Sequence, residues 1–492
     1  MVLLGAWVLL ASGGAWQKEI PPERALPNME AALQAWAMEL SPLDLVDPYG
    51  RLRVVVEAEG LAEGVVAALG GEIRHRAPAL GLWEVILPPQ SLPALAGLPG
   101  VRWVRRPLRP EPLGSQGVAL VGATAWHEAG LRGQGVRVAV IDMEFGGVSQ
   151  ALAEGRLRRV VATRDYTGEG FAMGGGHGTA CAEIVQAMAP DAELVLMKIH
   201  NEVQLAQAVE DALRLGVRVI SHSVAWFNTS FYDGTGIVCD IVRRATDGRI
   251  LWVNAVGNFA AGSHWEGDWS DADGDGLLDF APGLNMNTFT PEPLKPLGFW
   301  LTWDDWPASD QDLDLYVVHV PSGQVVARST STQAGAQPPA EHAFFIPTLP
   351  GSYGVVIHGH RVTKPLRLEL FASPAVRLSV STAESSVPTP ADAPSALAVG
   401  AIPAGRWTAG PQAPYSSQGP PNPSRLNPVA YTKPDLMGPD GVDTLAYGPG
   451  GFVGTSAAAP HVAGAAALVW SAYPYWTAEQ VRTWLEEAAV DL

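Results

Sequence analysis

The stretch GPGGFVGTSAAAPHVAGAAALVW, residues 448–470, decides how the rest of the chain is read. From Ala457 to Trp470 it is mostly strong helix former, so a helix over 456–472 is expected. Pro460 is then assigned to the first turn, where a missing N–H does little harm. Ser456 at the helix head suits an N-cap, but a cap alone explains neither Gly454-Thr455 before it nor the small side chains after it. A nucleophile accounts for all three, since it needs backbone room for a substrate, an exposed hydroxyl, and helix N–H groups aimed at developing negative charge. That role requires a base and an orienting acid elsewhere in the chain.

With 492 residues the chain exceeds one ordinary core, and two or three domains are expected. A formal net charge of -18 argues against nucleic acid or an anionic membrane surface as partner. Residues 2–15 form an apolar run ending in small residues and resemble a secretory signal peptide, although without the usual basic start. Residues 1–17 are therefore read as a signal peptide, and the protein as secreted, extracellular or periplasmic. No later apolar run is long enough to span a bilayer. Only Cys181 and Cys239 occur, so this is no disulfide scaffold, and sequence leaves open whether the two pair.

Residues 51–109 alternate strand, helix, two strands, helix and strand, a βαββαβ order that suits a small ferredoxin-like domain. A Pro-rich break, 107–112, follows. From Gly135 the pattern becomes α/β: VRVAVID (136–142), RRVVATRDY (158–166), AELVLMKI (192–199), VRVISHSVAW (217–226) and ILWVNAVGN (250–258) read as buried parallel strands. Helical stretches at 177–188, 202–215 and 236–246 lie between some of them, and a further strand, ALAVGAI (396–402), comes only after a long interruption. Helices over 456–472 and 477–489 close the chain. The interruption, 263–386, carries six short β-type runs separated by turn signals and reads as an inserted all-β sandwich.

In an open α/β sheet, ligands gather outside the carboxyl ends of the strands. Asp142 ends VRVAVID, Asn258 ends ILWVNAVGN, and His177 stands in GGGHGTACAEIV, where glycines lead into a helix. With Ser456 these supply an orienter, an oxyanion donor, a base and a nucleophile. No G-x-S-x-G elbow occurs, which disfavours an esterase or lipase.

On these residues the chain resembles the subtilisin family (subtilases) of serine peptidases. The order Asp142, His177, Ser456 is the subtilisin order. GTSAAAPHVAG is similar to the family's Gly-Thr-Ser-Met-Ala-Ala-Pro-His signature, with Ala457 in place of methionine. HGTACAEIV resembles the histidine box, AVGN the oxyanion-asparagine box, and YSSQGP, KPDLMGPDG and ALAVGAI recur as further landmarks. The resemblance covers 111–262 and 387–492 as the two parts of a catalytic domain. It implies a subtilisin-like parallel sheet with helices on both faces, endopeptidase activity on protein or peptide substrates, and no cofactor for catalysis. It also implies that 18–110 is a propeptide, removed by self-processing near the Pro-rich break, and an inhibitor of its own enzyme. Ser223, Val224 and Ala225 of SHSVAW correspond to the wall of the family's specificity pocket, while His222 alternates away from it as buried structure. Cys181 lies under the catalytic histidine and reads as a small core residue. Gly454 and Thr455 are expected to let substrate backbone pass close by.

One departure stands out. Met143-Glu144 replaces the Thr-Gly or Ser-Gly that usually follows the catalytic aspartate, which removes an orienting hydroxyl and adds a negative charge. An altered pH dependence is expected. The rival reading is a catalytically impaired scaffold that binds through the inserted sandwich.

DADGDGLLD (271–279) places Asp271, Asp273 and Asp275 at alternate positions, then Gly276 and Asp279, and resembles the start of a calcium loop. Position 282 is proline, so the loop is not an EF-hand, but calcium is the expected ligand, with a structural role. The run 302–317, with Asp304, Asp305, Asp310, Asp312 and Asp314, looks like calcium-binding sandwich modules of secreted bacterial peptidases. His358 and His360 alternate along a strand with no partner cluster in sequence and read as surface.

Overall fold

The computed structural model describes residues 2–3, 51–78, 81–105, 116–423 and 431–490. It divides into two compact units, 8–112 and the remainder. The signal-peptide reading lies outside the described residues except for Val2–Leu3, which pair antiparallel with Ala489–Val490.

In the N-terminal unit, β1 (Leu52–Ala58), α1 (Glu63–Ala68), β2 (Glu72–Ala77), β3 (Leu82–Leu87), α2 (Leu92–Ala96) and β4 (Val101–Arg105) follow in the expected order. The sheet runs β2-β3-β1-β4 with every neighbouring pair antiparallel. This is the ferredoxin-like split βαβ. Val54, Val56, Val85, Leu92 and Leu95 are fully buried in one core beneath the helices.

The second unit is built on a seven-stranded parallel sheet. Its strands are β5 (Arg137–Asp142), β6 (Val160–Asp165), β7 (Glu193–Lys198), β8 (Val219–His222), β9 (Leu251–Ala255), β18 (Leu397–Pro403) and β19 (Leu436–Asp440). Their order is β19-β18-β9-β8-β5-β7-β6. β5 and β7 to β9 are apolar and buried on both faces because helices cover both sides, α3 (His177–Met188) on one and α4 (Glu202–Arg214) and α5 (Ile237–Asp247) on the other. β6 departs from the expectation of a buried strand. It is the sheet edge, alternates in exposure, and leaves Val161 49 % exposed.

Helix α6 (Thr455–Ala472) is buried on nearly every side, and α7 (Ala478–Glu487) starts with a Thr477/Gln480 capping box. Since α6 begins at Thr455, Pro460 is its sixth residue and lies beyond the first turn, contrary to the sequence reading. The missing N–H leaves the Ser456 carbonyl without its usual i+4 donor. Two side chains replace it: Ser223 Oγ donates at 3.2 Å and Cys181 Sγ at 3.5 Å. Both cysteines are buried free thiols.

Gly464 lets α6 lie directly on α3, because a Cβ there would sit 2.3 Å from Met188 Cβ. Gly464→Ala is therefore expected to lower stability by about 1–3 kcal/mol through overpacking. A urea midpoint that falls with unchanged slope checks this, and an unchanged midpoint contradicts it.

Between β9 and β18 the chain forms two four-stranded antiparallel sheets. One contains β10 (His264–Asp268), β12 (Leu297–Trp303), β15 (Ala340–Phe345) and β17 (Arg367–Ala372), in the order β10-β17-β12-β15. The other contains β11 (Asn287–Phe289), β13 (Asp312–His319), β14 (Gln324–Ser329) and β16 (Tyr353–Arg361), in the order β11-β16-β13-β14. Their inner faces share one apolar core that includes Phe299, Trp303, Leu315 and Ile357. The six expected runs are present, and β10 and β11 add two that the sequence pattern did not show. The sandwich meets the α/β part through aromatic packing: Phe227 stacks on Trp300 with centroids 4.3 Å apart, and Phe259 and Tyr232 meet Phe371 edge-on. Asn422 fastens the same seam, donating to Phe231 O at 2.8 Å and to buried Glu369 at 2.7 Å.

Candidate active site

The carboxyl end of β5 delivers Asp142, which is 1 % exposed. Both its oxygens are engaged: Oδ1 accepts the Met143 N–H at 2.8 Å, and Oδ2 meets His177 Nδ1 at 2.8 Å. The backbone amide of Met143 thus supplies a hydrogen bond in place of the hydroxyl that the sequence lacks. A carboxylate at Nδ1 fixes the proton there and leaves Nε2 as the acceptor.

His177 is the first residue of α3, and close approach of this helix to β5 depends on the following glycine. A Cβ on Gly178 would come within 2.6 Å of Glu144 O and 2.7 Å of Asp142 Cβ. The Glu144 side chain turns towards the preceding glycine loop, where a Cβ on Gly175 would overlap its carboxylate at 2.2 Å. Burial pulls the imidazole pKa of His177 down, but the Asp142 charge and hydrogen bond together with Glu144 outweigh it, so the net shift is upward. A base must be neutral to accept a proton, so Glu144→Gln is expected to move the acidic limb of a kcat/KM pH profile to lower pH. An unmoved limb would remove Glu144 from this role.

Ser456 is the second residue of α6 and half-buried. Its hydroxyl donates to Ser223 O at 3.4 Å; among the described residues it makes no hydrogen bond to His177. Its N–H lies in the first helical turn, where the helix offers no acceptor.

Asn258 is held by Thr455. Asn258 Oδ1 accepts from Thr455 N at 2.9 Å and from Thr455 Oγ1 at 3.1 Å, and Thr455 Oγ1 also receives the Gly257 N–H at 3.2 Å. Assigning Oδ1 to these donors directs Nδ2 away from them. Gly454, at φ +119°, runs beside Nδ2, and a Cβ there would lie 3.2 Å from it. Thr455 itself is fully buried. This corrects the sequence reading: it orients the asparagine rather than lining a path for substrate.

Ser223 is bonded to Ser456 through both its hydroxyl and its carbonyl. Val224 and Ala225 follow, half-buried, with Ala225 packed against the Phe259 and Phe371 cluster. His222 is fully buried, with Nδ1 on Ile141 O at 2.8 Å and Nε2 accepting from Trp226 at 3.2 Å. Burial pushes its pKa down to about 4, so it stays neutral, as its alternation suggested.

The acidic loop keeps Asp271, Asp273 and Asp275 together, with carboxylate oxygens within 4.8 Å of one another. Asp279 is outside this group; its carboxylate accepts the Ala272 N–H at 2.9 Å. The three hard-oxygen donors suit calcium in kind. The run from Asp304 to Asp314 does not converge in this way. Asp305 pairs with Lys364, Asp310 faces Arg361, and Asp312 accepts from Gln333 N.

Residues 378–492 match the model of the subtilase family of peptidases. Over 116 residues the chain is 43 % identical to subtilisin of Bacillus pumilus, covering 23 % of this chain and 36 % of that protein. Subtilisin E of Bacillus subtilis (strain 168) is 42 % identical over 116 residues, covering 23 % and 26 %. An alkaline protease of Alkalihalobacillus alcalophilus is 27 % identical over 213 residues, covering 39 % and 53 %. The chain thus spans between a quarter and about half of the length of these relatives. Among solved structures, the Clostridium perfringens CspB protease superposes with a TM-score of 0.52 at 15 % identity. That match covers 73 % of this chain and 88 % of the other, and the likeness is one of fold.

Proposed function

We propose that this chain is a serine endopeptidase of the subtilase type, acting through Ser456, His177, Asp142 and Asn258, a reading supported by the family-model match over residues 378–492 and the likeness to subtilisins. The observation that carries the reading is the His177 Nδ1 to Asp142 Oδ2 bond at 2.8 Å, which leaves Nε2 as a base. As substrate enters, Ser456 Oγ leaves Ser223 O, gives its proton to His177 Nε2 and attacks the scissile carbonyl carbon. The oxyanion is held by Asn258 Nδ2 and the Ser456 N–H. His177 then protonates the departing amine, and water hydrolyses the acyl-enzyme by the same steps in reverse. Asp142 stays ionised and stabilises the imidazolium. Digestion of a peptide library, read as new termini, tests the proposal. Internal cuts that disappear with Ser456→Ala support it, release of terminal residues alone rejects an endopeptidase, and no cleavage rejects a peptidase.

The N-terminal unit is proposed to be the propeptide. Its ferredoxin-like topology and its separation as a compact unit support this. The Pro-rich break lies outside the described residues. Secretion is proposed on the apolar opening stretch; among the described residues no helix is long and apolar enough to cross a membrane.

Calcium is proposed at Asp271, Asp273 and Asp275. Bound only by the folded state, it stabilises by mass action, about 2.7 kcal/mol at a hundredfold excess over Kd. A chelator is expected to lower the Tm, and Asp273→Ala with Asp275→Ala to blunt that shift. Equal shifts in both proteins would place the ion elsewhere.

A further inference from the structure

We propose that Asp314, His358 and His360 form a site for a divalent transition-metal ion of the zinc class on the outer face of the second sandwich sheet. The sheet register builds it. His358 and His360 are alternate residues of β16 and share a face, and Asp314 of β13 is paired directly with His358. Leu313 and Leu315, which flank Asp314, and Ile357, which precedes His358, are fully buried on the other side.

One ligand atom from each of the three side chains lies within 4.8 Å of the others, and His360 Nε2 is 2.8 Å from Asp314 Oδ2. A tetrahedral zinc ion with ligands at about 2.0–2.1 Å spaces its ligand atoms roughly 3.3 Å apart. The 2.8 Å contact is shorter than that value and the other spacings stay within 4.8 Å, so the three side chains are close enough to share one ion. His358 packs edge-on to His360, with centroids 4.4 Å apart, and its ring makes no hydrogen bond among the described residues. A plain ion pair would need only one imidazole; the second has no other polar role here.

The surroundings match a metal centre. Asp314 is 3 % exposed, and Tyr316 donates its hydroxyl to Asp314 Oδ2 at 2.8 Å, which holds the carboxylate in place as outer partners of metal ligands do. The end of the acidic loop pairs with β16 beside His358, Leu277 bridging it antiparallel. Gly359 N–H donates to Gly276 O at 2.9 Å, and a Cβ on Gly276 would stand 3.2 Å from His358 Nε2. Its carboxylates add negative potential that favours a cation. Two imidazole nitrogens and one carboxylate suit zinc, cobalt, nickel or copper rather than calcium, which takes oxygen. Three protein ligands leave a fourth position open, on the side where His360 is 53 % exposed. Sequence could not show this site because Asp314 and His360 lie 46 residues apart and meet only across the sheet.

Cobalt(II) titration of the metal-stripped full chain, carrying Ser456→Ala to prevent self-cleavage and with calcium in excess, tests the site through the visible d–d bands. One cobalt equivalent is expected in this background. It should be lost in His358→Ala/His360→Ala, weakened about tenfold to a hundredfold in Tyr316→Phe, and kept in Asp273→Ala/Asp275→Ala. If the double variant does not fold, exposed His360→Ala and Tyr316→Phe decide the matter. Absence of binding, the same cobalt stoichiometry and affinity in every variant, or displacement of the cobalt by calcium would each overturn the proposal. None of these readouts depends on peptide hydrolysis.

Discussion

Ser456→Ala is expected to abolish peptide hydrolysis while leaving the fold intact. Ser456 is half-buried at the head of α6, and its hydroxyl makes a single long hydrogen bond, 3.4 Å, to Ser223 O. Removing it therefore costs little stability. Its loss removes the proposed nucleophile, and the proposed oxyanion groups alone are expected to leave only residual catalysis. In subtilisin itself the corresponding loss is about 2 × 10⁶-fold in kcat, and a drop of that order is expected here. The same variant is expected to remain at precursor length, whereas the wild type gains a new N-terminus between Arg109 and Gly117. Kinetics on a fluorogenic peptide and N-terminal sequencing check both. Equal processing of the two proteins would assign that cut to another enzyme.

Asn258→Ala carries the second large effect. Asn258 Oδ1 is occupied by Thr455 N and Oγ1, so the side chain has one orientation and presents Nδ2 without rearrangement. Such a donor acts on charge that develops in the transition state, so kcat falls while KM changes little. The expected cost is about 2.7–4 kcal/mol, a range known from subtilisin. Thr455→Val keeps the backbone N–H bond and loses only the hydroxyl. Its cost is expected to be roughly 0.5–1.5 kcal/mol, or up to about tenfold in kcat. Normal turnover in Asn258→Ala would remove it from the oxyanion role. A Thr455→Val loss as large as that of Asn258→Ala would mean that Thr455 does more than orient it.

Much of this architecture was legible because the signals were local. The apolar runs of β5, β7 and β9, the helix over His177–Met188, and the order of Asp142, His177 and Ser456 all follow from neighbouring residues. What escaped was set by contacts between distant segments. Thr455 looked like open backbone beside a nucleophile, yet its hydroxyl faces Asn258, 197 positions away. Pro460 looked harmless, yet the carbonyl it leaves unpaired is satisfied by Cys181 of α3 and by Ser223, just past the end of β8. β6 read as buried on its short apolar centre, Val160-Val161-Ala162, but only the strand order places it at the edge. Asp314 read as one of five acids in a run, and pairing with β16 gives it a different company.

The central claim is that Ser456 is an activated nucleophile, and a fluorophosphonate tests it most directly, since an ordinary serine hydroxyl does not react. The folded wild-type chain, after separation from its N-terminal unit, is treated with the probe, digested and mapped by mass spectrometry. The account predicts one adduct, on Ser456, that is lost when His177→Ala removes the base. A folded chain that takes up no probe, or carries it elsewhere, would contradict it.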